Sequence, residues 1–178
     1  MKVMGRLTSC AATLVLGAMI LSATPVEAQE GKLGLYAGYA FLKIDEGNLH
    51  GVRLSPELRV NGFAALVGDV SWEKGTSTTI TTYLGGLRLK RGMGSVSLFA
   101  HALAGVVRDS ASVSPFGGIT ISSATSGLGL DGGGGFEFKA GKSLKLRLGA
   151  DYLRRKIDTD GGSKINANDI RATVGFVF

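Results

Sequence analysis

Arg171-Ala172-Thr173-Val174-Gly175-Phe176-Val177-Phe178 is the stretch that decides how the rest of the chain is read. Ala172, Val174, Phe176 and Phe178 share one parity, while Arg171, Thr173 and Gly175 share the other. Side chains of an extended strand alternate between faces, so this segment predicts a β-strand with one apolar and one polar face. The same test upstream finds eight such segments, over 32–43, 49–60, 63–73, 79–90, 95–108, 124–139, 144–156 and 168–178. In the second, Val52, Leu54, Leu58 and Val60 oppose Arg53, Ser55, Glu57 and Arg59. In the seventh, Leu144, Leu146, Leu148, Ala150 and Tyr152 oppose Lys145, Arg147, Gly149 and Asp151.

The connections alternate in length. Asn61-Gly62 is the strongest turn signal, because both residues accept the positive φ of a type I′ hairpin. Arg91-Gly92-Met93-Gly94, Ala140-Gly141-Lys142-Ser143 and Asp45-Glu46-Gly47-Asn48 read as further short links. The links after Glu73, Val107 and Ile157 are longer and rich in Ser, Thr, Gly and Asp. An up-and-down barrel with both termini on one side produces this alternation. Pro56 interrupts the second strand and predicts a bulge or a local break in its ladder.

The amino terminus points to export. Lys2 and Arg6 precede an apolar run from Cys10 to Leu21, and Val26-Glu27-Ala28 is a small-x-small cleavage site. At about a dozen residues the run is short for a spanning helix. Residues 1–28 are therefore expected to be a cleavable signal peptide and 29–178 a single domain. The lone cysteine, Cys10, falls in the leader, so the expected mature chain has no disulfide and no cysteine–metal site. Without the leader 18 basic and 13 acidic residues remain, spread singly and not clustered, and this pattern does not indicate nucleic acid. The 28 glycines lie within alternating apolar segments, where bare backbone lets strands curve or neighbours approach.

A soluble sandwich would alternate too, so periodicity alone leaves both architectures open. The leader and the terminal aromatic favour a barrel, whose polar face lines a lumen just wide enough to be filled by side chains. Parity then turns Arg53, Arg59, Arg88, Lys90, Lys139, Lys145, Arg147 and Arg171 inward. It turns Glu57, Asp69, Glu73, Asp131, Glu137, Asp151 and Asp169 the same way. Near-equal numbers of each sign predict a paired, partly hydrated network, since isolated buried charges cost several kcal/mol. His101 reads as a lumen residue hydrogen-bonded to a carboxylate such as Asp69 or Asp131. Leu42, Phe99 and Leu103 also fall on inward parity; a passage for hydrophobic molecules or a register shift in the fifth strand would account for them. Tyr39, Trp72, Tyr83, Tyr152, Phe176 and Phe178 fall near strand ends on the apolar face, where aromatic girdles sit at membrane interfaces.

Taken with Asn61-Gly62 and Leu66-Val67-Gly68-Asp69, the run Phe99-Ala100-His101-Ala102-Leu103-Ala104-Gly105, Gly149-Ala150-Asp151-Tyr152-Leu153 and the closing strand make the chain similar to a known family. It resembles the small outer-membrane β-barrel domain proteins, eight-stranded barrels of the OmpA, OmpX and OmpW type. The resemblance implies an all-β, eight-stranded antiparallel up-and-down transmembrane β-barrel in the outer membrane of a Gram-negative cell envelope. It also implies a monomer contacting outer-membrane lipid, with Phe178 as an assembly signal read by the barrel-assembly machinery.

No constellation carries chemistry. Lipid A deacylases place a serine two residues after the catalytic histidine, whereas His101 is followed by Ala102 and Leu103. His50 has no acid in a recognisable pattern. Two distant histidines give no transition-metal spacing, and Asp158-Thr159-Asp160-Gly161-Gly162 lacks the terminal glutamate of a calcium loop. Gly132-Gly133-Gly134-Gly135 has no helix or Gly-Lys-Ser/Thr after it and is not a phosphate loop. The expected role is structural or narrowly porin-like, without enzyme activity, cofactor or metal. The alternatives are recognition of a surface ligand through loops 109–123 and 157–168, or OmpW-like passage of small hydrophobic molecules.

Overall fold

The computed structural model describes residues 33–178, apart from 46, 117–118, 142 and 159–163. The expected signal peptide and the Asp160-Gly161-Gly162 segment lie outside the described residues. Eight strands form one closed barrel in sequence order: β1 Leu33–Ile44, β2 Gly47–Arg59, β3 Ala64–Lys74, β4 Thr78–Met93, β5 Val96–Phe116, β6 Ile119–Lys139, β7 Lys145–Asp158 and β8 Lys164–Val177. All neighbours are antiparallel, and β1 pairs with β8 to close the ring. Backbone bonds between Phe178 and Leu35 extend that seam by one residue at its end. Among the described residues no helix is long and apolar enough to cross a membrane.

The ladders are staggered. From Arg53 the paired path reaches Thr82 through β3. In the other direction it passes Gly38, Gly175, Arg147, Glu137 and Ser97 and arrives at Gly92. That stagger of about ten residues inclines the strands by about 40° and sets how inward residues stack in layers. The β2–β3, β4–β5 and β6–β7 connections, with Leu33 and Phe178, define a turn end; the opposite rim, where β1 passes into β2, is the loop end.

Local chemistry explains the turns. Asn61 Oδ1 accepts bonds from Phe63 N at 3.0 Å and Ala64 N at 2.7 Å, so its side chain closes the β2–β3 link. This is not the expected type I′ turn, because neither Asn61 nor Gly62 has positive φ. Gly94 does, at 69°, in the two-residue link from Met93 to Val96, where only glycine adopts that backbone without strain. At Pro56 the β2–β3 ladder skips Ser55 and Pro56 but resumes in the same register, a break without a bulge.

Two expected loops are largely strand. β5 and β6 pair from Val96↔Phe138 to Phe116↔Ile119, so 109–123 is mostly a hairpin that overhangs the barrel. Ladder pairs of β4 end at Ala111 and those of β7 at Gly127, leaving the hairpin's outer part paired only with itself. Likewise β7 and β8 pair out to Asp158↔Lys164, which shortens the 157–168 connection. The fifth strand keeps register with β4 throughout, so Phe99 and Leu103 face inward without any shift.

Candidate functional site

The inward face divides into layers because the inward residues of each strand change character along it. Near the loop end Leu42, Leu49, Ile80, Leu84, Leu103, Val107 and Leu153 form a buried apolar cluster, joined by Val67. β1, β2, β4, β5 and β7 each contribute to it. Burying such side chains contributes about 1.5–3 kcal/mol each relative to exposure.

At mid-barrel Arg53 gathers three carboxylates. Its Nε donates to Asp69 Oδ2 at 2.7 Å, its Nη1 to Asp151, and Nη2 lies 3.9 Å from Asp131. Ser55 donates to the same oxygen of Asp69. Arg171 reaches Asp131 and Glu73, each at 3.0 Å, and donates to Ser71 Oγ at 3.2 Å. His101 Nε2 lies 2.9 Å from Asp131 Oδ1 and 3.3 Å from Asp151 Oδ1. Gly133 leaves the room this layer needs, since a Cβ there would run into the Asp151 carboxylate.

Toward the turn end Glu57 and Glu137 share cations. Arg147 Nη2 is 2.5 Å from both, and Lys90 Nζ is 2.5 Å from Glu57 and 2.9 Å from Glu137. Arg88 donates to Glu57 as well. The Arg147 guanidinium sits 4.9 Å from the Tyr36 ring centre and 5.1 Å from that of Phe99, an aromatic clamp on a buried cation. Phe99 stacks in turn on His101, with ring centres 5.9 Å apart. Gly149 has no side chain in the way: a Cβ there would meet Thr173 Oγ1 at 2.8 Å and Phe99 Cζ at 3.4 Å.

A third ionic group lies near the loop end. Arg155 grips Asp169 with Nε at 2.5 Å and Nη2 at 3.2 Å, and it donates to Asp109 through Nη1. Arg155 and Asp109 share the inward parity of Asp151 and His101, so the same alternation carried two or more residues further reaches both. Arg155 lies within the expected 144–156 strand but is assigned no face there, and Asp109 falls one residue past the expected 95–108 strand.

The structure brings together Arg53, Glu57, Asp69, Arg88, Lys90, His101, Asp131, Glu137, Arg147, Asp151, Asp169 and Arg171. Lys145 stands at the margin, 3.8 Å from Glu137 with its side chain 31% exposed. Arg59 and Lys139 do not join: both are exposed. They end β2 and β6 at the turn rim, where parity no longer decides between lumen and solvent.

His101, Asp131 and Asp151 each offer a donor atom within 4.8 Å of the others, the spacing a metal ion would need. The fit is poor, because Arg53 and Arg171 already supply positive charge to these same carboxylates.

The outer face is apolar and exposed, from Leu54, Leu66 and Leu87 to Leu130, Leu148 and Val174. Tyr39, Trp72, Tyr83, Tyr152, Phe176 and Phe178 all point outward. Phe176 and Phe178 lie at the turn end. Tyr39 and Tyr152 are mid-strand and not at strand ends, because β1 and β7 run on beyond them; the Tyr39 hydroxyl bonds His50 on β2.

A closed antiparallel barrel that is apolar outside and ionic within is a transmembrane barrel of the outer-membrane class. The chain belongs to the outer membrane protein β-barrel domain family, whose sequence pattern matches residues 11–178. It is an integral outer-membrane protein in which one chain closes one barrel. No curated protein matches it in sequence. Among solved structures it is similar to Neisserial surface protein A, with 19% identity and a TM-score of 0.58 over 82% of this chain and 94% of that one. The attachment invasion locus protein Ail of Yersinia pestis, solved with the heparin analogue sucrose octasulfate, has 16% identity and a TM-score of 0.54 over 82% and 96%. The N-terminal barrel domain of Pseudomonas aeruginosa OprF has 12% identity and a TM-score of 0.52 over 83% and 98%. At these identities the likeness concerns the fold.

Proposed function

We propose that the protein is an occluded barrel with a structural role in the outer membrane, exported by a leader at 1–28 that is then removed. The observation that carries this reading is the succession of buried side-chain layers that occupy the lumen among the described residues. An apolar cluster lies toward one end, a carboxylate–arginine layer at the middle, and an aromatic-clamped arginine toward the other. The reading contains no catalytic step and no cofactor, since His101 faces two carboxylates and is followed by Ala102 and Leu103. The closing strand, ending in outward Phe178, is the part offered to the barrel-assembly machinery. Planar-bilayer recording tests the reading: purified barrel inserted at single-molecule level gives no steady conductance of porin size. A large, stable open level rejects it.

One observation favours a second reading, recognition of a surface ligand. The β5–β6 hairpin overhangs the rim with backbone edges that no neighbouring strand covers. Such an edge is able to pair with another extended chain. Trimming the hairpin beyond Ala111 and Ser123 abolishes ligand retention under this reading and leaves it unchanged if the barrel alone is the functional unit.

A further inference from the structure

The charges that fill the lumen are not evenly mixed along its axis. In the mid-barrel layer two arginines, Arg53 and Arg171, meet four carboxylates, Asp69, Glu73, Asp131 and Asp151. Toward the turn end the balance reverses. Four cations, Arg88, Lys90, Lys145 and Arg147, share two carboxylates, Glu57 and Glu137, and three of the four converge on Glu57. Among the described residues no mid-barrel carboxylate lies within ion-pair distance of these cations. Phe99 stands between the two layers: its ring centre is 5.2 Å from the Arg88 guanidinium and 5.1 Å from that of Arg147, and it stacks on His101.

The rim repeats the excess. Lys139 stands directly opposite Lys145 in the β6–β7 ladder, where like charges repel. Arg59 pairs with Ala65, and Ala65 with Arg88, so a further cation ends β2 beside the same cluster. Among the described residues Glu57 and Glu137 are the only side-chain carboxylates at this end. Arg88 and Arg147 are each 2% exposed, and among the described residues Arg88 Nε and Arg147 Nη1 have no hydrogen-bond partner. Lys145 Nζ stops 3.8 Å from Glu137, beyond hydrogen-bond reach. Cations buried in excess of their counter-ions are costly, and an anion supplied from outside removes that cost. The Lys90 and Lys145 side chains are 18% and 31% exposed, so the cluster is open to solvent.

We propose that the turn-end mouth of the lumen binds a small oxyanion, with inorganic phosphate as the type ligand, through Arg88, Lys90, Lys145 and Arg147. Four cations against two carboxylates leave two positive charges, the complement of a phosphate dianion. Its several acceptor oxygens meet donors that arrive from two separate strands, β4 and β7, whereas chloride brings a single charge and no such set of acceptors. Turns face the periplasm in barrels of this class, so the ligand enters from that side. Phe99 and the apolar cluster beyond the mid-barrel layer make the site a blind pocket.

Equilibrium dialysis of the full barrel in a neutral detergent against radiolabelled inorganic phosphate tests the site. Binding at equilibrium is independent of conductance, so the result stands apart from that of the occluded lumen. Saturation at one phosphate per barrel is expected, with displacement by sulfate and none by chloride at the same concentration. Lys139→Gln/Lys145→Gln alters two solvent-accessible side chains and weakens binding about tenfold, the low end for hydrogen bonds to a charged group. Lys43→Gln/Lys74→Gln removes as much charge from the loop end and binds as the parent does. Heat-modifiable gel migration shows that each variant is folded. No saturable binding, equal displacement by chloride, an unchanged affinity in Lys139→Gln/Lys145→Gln, or an equal loss in Lys43→Gln/Lys74→Gln overturns the proposal.

Discussion

Replacing Arg53 by methionine removes the cation that organises the mid-barrel layer while keeping most of its volume. Asp69 loses most, because Arg53 is its ion-pair partner and Ser55 its remaining described hydrogen-bond donor. Asp151 keeps His101 at 3.3 Å, and Asp131 keeps Arg171 at 3.0 Å. The side chains of Arg53 and Asp69 are 3% and 0% exposed, so bulk water does not reach the lost partner's place. Breaking a buried pair from one side costs about 3–5 kcal/mol. With a denaturant slope of about 2 kcal/mol per molar, the urea midpoint moves down by about 1.5–2.5 M. Trp72 fluorescence follows reversible unfolding from phospholipid vesicles. The double variant Arg53→Met/Asp69→Asn removes the stranded charge and recovers about 2 kcal/mol, a coupling within the range of contacting pairs. A single variant within 1 kcal/mol of the parent, or a double variant no more stable than the single, refutes the account of a buried, paired layer.

Gly149→Val places a branched side chain against Thr173 and the Phe99 ring, and overpacking of this kind costs about 1–3 kcal/mol. The same urea titration reads it, and restoring stability with Gly149→Val/Phe99→Leu identifies the ring as the obstacle. Asn61→Ala removes the acceptor for two backbone amides in an exposed turn and lowers stability by about 0.5–1.5 kcal/mol, read by the same urea titration.

Alternation made the barrel legible, since a two-residue period sorts the wall into faces wherever one face meets lipid. It sorted Arg53, Asp131, Arg147 and Arg171 inward and Leu54, Leu148 and Phe176 outward, as the described faces stand. Where neither face meets lipid the signal fades. Residues 109–123 are rich in Ser, Thr and Gly yet continue as strand, because cross-strand bonds with one neighbour suffice to hold them. The apolar cluster was harder to see for a different reason. Reading the lumen by its charges left Leu42, Phe99 and Leu103 looking misplaced, although a narrow lumen must also be filled by volume. Side-chain closure of the Asn61 turn was hidden because Asn-Gly suits more than one hairpin geometry.

The partners of the mid-barrel arginines come from strands far apart along the chain. Arg53 on β2 meets Asp151 on β7, 98 positions away, and Arg171 on β8 meets Ser71 on β3, 100 positions away. In an unrolled sheet Arg53 would keep Asp69 on the adjacent strand but lose Asp151, and Arg171 would lose Ser71, so these cross-lumen bonds appear only as the first and last strands join. The lumen thereby acts as a lock sprung at the final step of assembly, holding the finished ring shut against the reopening of its β1–β8 seam.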